Sequence, residues 1–92
     1  MPKYVIERNM PGAGKLSARD IGEAAIKSNK ALHDLGPDVQ WLHSYVTDNK
    51  VYCVYYAKNP DLVKEHAKRA GFPADAISTV RSEMDVATAE TI

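Results

Sequence analysis

The sequence predicts an α+β domain with the element order β-α-β-β-α-β. Three observations carry this. Strand-like stretches occur at Lys3–Asn9, Val39–Thr47, Lys50–Ala57 and Ile77–Met84. Apolar residues recur at helical spacing after Ser17 and after Asn59. Gly and Pro punctuate the chain at Pro11-Gly12-Ala13-Gly14, Gly36-Pro37 and Gly71.

Taken in order, Tyr4, Val5 and Ile6 favour the first strand, and the Pro11–Gly14 stretch ends it. Ser17-Ala18-Arg19-Asp20 resembles a capping box with Asp in place of Glu. Ile21, Ala24, Ala25, Leu32 and Leu35 continue that helix until Gly36-Pro37 stops it. The second and third strands are expected to form a hairpin through Asp48-Asn49, two residue types that tolerate positive φ. With a two-residue turn Ser44 faces Cys53 and Tyr45 faces Tyr52, whereas a three-residue turn would shift the pairing by one and move Cys53 beside Tyr45. Asn59 caps the second helix and Pro60 takes its first position, where a missing N–H costs nothing. Leu62, Val63, His66, Ala67 and Ala70 share one face of it. After the fourth strand, roughly residues 86–92 read as a tail, loose or packed on a partner. The order is the split βαβ pattern of a ferredoxin-like fold: one antiparallel sheet with two helices on one face.

Length and charge narrow the function. The 92 residues suit a single domain, and one this small buries little core, so an oligomer is expected. Twelve basic residues balance twelve acidic ones, which argues against nucleic acid or an anionic membrane as partner. No apolar run has the length of a transmembrane helix, and Met1-Pro2-Lys3-Tyr4 leads directly into a strand. The single Cys cannot make an intrachain disulfide. A cytoplasmic protein is the expectation.

Alternation divides the hairpin into two faces. Leu42, Ser44, Val46, Val51, Cys53 and Tyr55 are expected under the helices. Trp41, His43, Tyr45, Tyr52, Val54 and Tyr56 make the other, aromatic face. Such a face suits a dimer surface, or a cavity between two packed sheets lined by Trp41, His43, Tyr45 and Tyr56.

Candidate ligands follow from side-chain chemistry. His66, on the apolar side of the second helix, reads either as a core histidine bonded to a tyrosine or carbonyl, or as a metal ligand near Cys53. Cys53 is a buried small hydrophobe or a soft ligand. His33 sits near the C-terminus of the first helix, where a cation is favoured, with Asp34 and Asp38 close in sequence. No CxxC, HxxxH or HExxH spacing occurs. Pro11–Lys15 fails as a phosphate loop, because Asn9 and Leu16 stand where Gly and Ser or Thr are needed. It reads as a flexible connection. Glu23/Lys27 and Glu65/Arg69 have the spacing of solvated helix pairs.

Four segments carry a resemblance. They are Lys3-Tyr4-Val5-Ile6-Glu7-Arg8, Trp41 to Asp48, Tyr52-Cys53-Val54-Tyr55, and Glu65-His66-Ala67 with Gly71-Phe72-Pro73-Ala74-Asp75. From Lys3 to about Thr88 the chain resembles a family of small bacterial ferredoxin-like proteins, which includes a dimeric nickel-binding protein linked to nickel sequestration. The resemblance implies a homodimer and metal binding, but it designates no ligands.

The expected function is therefore non-enzymatic binding of nickel or another divalent transition metal. His43 and His66 would be the imidazole ligands, Cys53 a soft one and His33 a peripheral one. Only neutral imidazole binds metal, so affinity would fall below about pH 6.5. The alternative is a dimeric α+β barrel enzyme of the cofactor-free monooxygenase or isomerase type. It would act on a small aromatic molecule, with His43 or His66 as base.

Overall fold

The computed structural model describes residues 1–92. Four strands form one antiparallel sheet: β1 (Lys3–Asn9), β2 (Val39–Val46), β3 (Lys50–Ala57) and β4 (Ala76–Thr79), in spatial order β2-β3-β1-β4. Two helices, α1 (Ala18–Leu35) and α2 (Pro60–Ala70), pack on the same face of it. This is the expected ferredoxin-like architecture. No helix is long and apolar enough to cross a membrane.

Local chemistry sets the helix ends. The Ser17 hydroxyl accepts from the Asp20 N–H at 3.0 Å, and the Asp20 carboxylate accepts from the Ser17 N–H at 3.1 Å. This reciprocal bond satisfies two donors that helix geometry leaves unpaired. Asn59 Oδ1 accepts from the Leu62 N–H at 3.0 Å, and Pro60 follows at the first helical position. Gly71, with φ at 78°, ends α2 in the left-handed region that a side chain would oppose. Glu65 pairs with Arg69 as the spacing suggested, whereas Glu23 pairs with Arg19 and not Lys27.

The core lies between helices and sheet. Tyr4, Ile6, Val39, Val51, Cys53, Tyr55 and Ala57 meet Val63, with Leu32, Leu35 and Leu62 partly buried around them. Burying an aliphatic side chain fully is worth about 1.5–3 kcal/mol, so Ile6 and Val63 anchor the two layers.

Four details differ from the sequence expectation. The register holds, with Ser44 opposite Cys53 and Tyr45 opposite Tyr52. A bulge at Leu42, however, separates Trp41 (opposite Tyr55) from His43 (opposite Val54). The extra residue changes the parity of the strand. Trp41 therefore joins Ser44 on the helix side, its indole N–H donating to the Ser44 hydroxyl at 2.9 Å, and Leu42 is exposed.

The two-residue turn falls at Asp48-Asn49 as expected, and its backbone conformation is the second difference. No non-glycine residue has positive φ, Asp48 and Asn49 included. Thr47 closes the turn instead. Its N–H and hydroxyl both donate to the Lys50 carbonyl at 2.8 Å, and its oxygen accepts from the Lys50 N–H at 3.2 Å.

The Pro11–Lys15 connection is held in place, contrary to the flexible connection expected. Ala13–Lys15 makes a 3-10 turn against the hairpin. Met10 N–H donates to the Asn49 carbonyl at 2.9 Å and Gly14 N–H to the Asp48 carbonyl at 3.0 Å. A Cβ at Gly14 would lie 2.9 Å from Asp48 Cα, so only glycine allows this approach.

Finally, β4 is shorter than expected. Its last bond joins Val80 N–H to the Lys3 carbonyl at 2.8 Å, and β1 offers nothing beyond Lys3 to pair with Arg81–Met84. The tail makes a 3-10 segment, Val86–Thr91, with no buried residue.

Candidate functional site

Two regions gather reactive side chains, one on each face of the sheet. The first begins with the alternation of β1. Tyr4, Ile6 and Arg8 all point under the helices, so the third inward position carries a guanidinium that is 1% exposed. Its Nε donates to Cys53 Sγ at 3.4 Å and its Nη2 to the Tyr55 hydroxyl at 3.2 Å. Its Nη1 donates to the Pro73 carbonyl. The Phe72 ring centroid lies 5.6 Å from the guanidinium carbon. The Gly-Phe-Pro exit of α2 thus closes over Arg8.

Next to this cluster, the Tyr55 and His66 rings stand 5.1 Å apart. His66 is 0% exposed. Its Nε2 lies 3.2 Å from the Ser28 carbonyl and 3.1 Å from the Ser28 hydroxyl. A carbonyl only accepts, so Nε2 carries the proton and Nδ1 is left with a buried lone pair that has no partner. Burial pushes the His66 pKa down. The Ser28 carbonyl opposes this, and the Arg8 charge adds to it. The Tyr55 phenol is pushed up to about 12, chiefly by burial and then by Cys53, against the pull of Arg8.

A cavity of about 160 Å³ opens between α1 and the sheet beside this cluster. Arg8, Ser28, Cys53 and Tyr55 form its buried floor, and Ala24, Ala25 and Trp41 its walls. Leu16, Ile21 and Val46, all exposed, stand at its rim. Sequence reasoning missed Arg8 and Ser28. The available signal was period-two alternation from Tyr4 through Ile6, which places residue 8 inward.

The second region is the open sheet face. His43 is exposed there, with the Tyr45 ring 5.1 Å away at 72° to it. Tyr45 is 61% exposed. Strand pairing places Tyr52, Val54, Tyr56, Val5 and Glu7 on the same face. Lys50 Nζ reaches Glu7 at 2.5 Å, and the ammonium of Lys3 lies 5.2 Å from the Tyr56 centroid.

The structure therefore separates the sequence candidates. His66 and Cys53 are buried on the helix side, His43 is exposed on the opposite face, and His33 is exposed near the end of α1. No three His, Cys, Asp or Glu side chains come together within one chain in a way that could hold a metal ion. Nor do Trp41, His43 and Tyr56 line one pocket, because the bulge turns Trp41 to the other side.

Comparison with known proteins adds two findings. The family model described as "Nickel responsive protein SCO4226-like" matches residues 4–80. The crystal structure of SCO4226 from Streptomyces coelicolor A3(2) superposes with a TM-score of 0.75, covering 89% of this chain and 99% of that one at 18% identity. That likeness establishes the shared fold. No curated protein matches the sequence.

Proposed function

Because this chain belongs to the nickel-responsive SCO4226-like family, we propose that it is a non-enzymatic binding protein for nickel or another divalent transition metal, serving metal sequestration as a homodimer. The observation that carries this reading is His43, an exposed imidazole on an open aromatic sheet face. Imidazole suits nickel, copper and zinc alike. One chain supplies no three-ligand cluster, so the remaining ligands would come from a second copy.

The open face supports such a dimer. Val5, Tyr45, Tyr52, Val54 and Tyr56 share it on the side away from α1 and α2, with Lys3 and the Glu7–Lys50 pair beside them. Surfaces of this kind mark interfaces, and an isologous contact brings the same residues from both copies to one axis. Burial sets His66 and Cys53 apart from a hydrated ion. The proposal places ligation on His43, with His33 peripheral.

The test is calorimetric titration of metal-stripped protein with nickel, zinc and copper, on the native chain, His43→Ala and His66→Ala. Binding is expected in the native chain and in His66→Ala, and lost in His43→Ala. Sedimentation is expected to give a dimer. Undiminished binding in His43→Ala would remove the ligand assignment. Absence of binding tighter than about 1 mM, or about 4 kcal/mol, would remove the metal reading itself.

A further inference from the structure

We propose that the helix-side cavity is a binding site for a small apolar carboxylate, an acid bearing one aromatic ring or a short branched chain, with the Arg8 guanidinium as its counter-charge. The site lies on the opposite face of the sheet from His43 and stands apart from the metal reading.

Arg8 takes part in none of the ion pairs of the molecule. Its three hydrogen bonds go to Cys53, Tyr55 and the Pro73 carbonyl, and no carboxylate accepts from it. A guanidinium has five N–H donors, so donors remain unused. A buried cation without a counter-ion is costly to hold in a protein interior even when hydrogen-bonded. Here it borders a cavity that can admit an anion. A guanidinium fork also matches the two oxygens of a carboxylate.

The cavity volume, about 160 Å³, is close to the roughly 150 Å³ in which an engineered apolar cavity accommodates benzene. Its polarity is graded. The buried floor holds Arg8 with the hydroxyls of Ser28 and Tyr55, and the exposed rim holds Leu16, Ile21 and Val46. A ligand that fits both ends carries its charge inward and its hydrocarbon outward. A bare inorganic anion would leave the apolar wall facing water. The small side chains of Ala24 and Ala25 create this volume, where a leucine would fill it.

Trp41, the single tryptophan, lines the cavity and reports on it directly. The experiment is a fluorescence titration of the native protein with benzoate and 3-methylbutanoate, and with benzyl alcohol as a neutral counterpart of benzoate. A saturable change with at least one acid is expected, with benzyl alcohol weaker than benzoate by about tenfold or more, equivalent to about 1.4 kcal/mol. Ala25→Leu, which fills the cavity and keeps the charge, is expected to abolish the response. Arg8→Gln is expected to abolish the preference for acid over alcohol. Should Arg8→Gln not fold, the acid–alcohol comparison on the native protein decides the role of charge. Equal affinity for alcohol and acid overturns the proposal. So does unchanged binding in Ala25→Leu, or no saturable response to either acid up to about 10 mM, a strength of under about 3 kcal/mol.

Discussion

Arg8 and Tyr55 meet across the two central strands, the Nη2 of one donating to the hydroxyl of the other at 3.2 Å. Because the Tyr55 ring also stands 5.1 Å from His66, a single phenol links β1, β3 and α2. Tyr55→Phe leaves the shape intact and takes one acceptor from a buried cation. It is expected to destabilise the fold by about 2 kcal/mol, read as a lower midpoint in urea denaturation with an unchanged slope.

Stability should decline toward both ends of the pH scale, for separate reasons. His66 has a folded pKa below its unfolded value of about 6.5. Its contribution is therefore complete above that pH and is lost as pH falls, when only the unfolded chain takes up the proton. Tyr55, at about 12 in the fold against about 10 when unfolded, contributes fully below about pH 10. That contribution is lost between about 10 and 12, as the unfolded phenol ionises first. Urea midpoints across pH should show both slopes, and Tyr55→Phe should reduce only the alkaline one, leaving the part that belongs to Lys3 with Glu83 and Lys50 with Glu7.

Two glycine substitutions are expected to act in opposite directions. A Cβ at Gly14 would meet the Asp48 backbone at 2.9 Å, whereas one at Gly22, inside α1, meets nothing within 4 Å. Gly14→Ala should cost about 1–3 kcal/mol, or roughly 5–20 °C in Tm for a domain of this length. Gly22→Ala should add about 0.5–1 kcal/mol. Thermal melts of the pair check both signs.

His43→Ala is expected to leave the fold of each protomer as stable as before, within about 0.5 kcal/mol, because the side chain is exposed within the protomer. Its loss should appear in metal titration alone. A large fall in the urea midpoint would assign His43 to the fold instead.

How far the sequence could be read depended on whether a feature was local. The Ser17–Asp20 box, the Asn59-Pro60 start and the Gly71 stop are each made by neighbours in sequence, and each stands where the pattern put it. Arg8 was hidden because composition and position disagree: a fixed charge reads as surface, while Tyr4 and Ile6 set a parity that carries it inward. The bulge was hidden because every residue from Trp41 to Val46 suits a strand, and an inserted residue leaves no compositional mark. The length of β4 depended on where β1 begins, a fact of pairing across the sheet.

The bulge bears on how chain length can vary. Trp41 faces inward, His43 outward and Ser44 inward, with Leu42 standing outside the pairing count. A descendant lacking Leu42 would run Trp41, His43, Ser44 as an unbroken two-residue alternation, with every partner on β3 unchanged. A loss after His43 would invert the face of all that follows. Loss of Leu42 would therefore alter the twist of the sheet edge while leaving the chemistry of both faces in place.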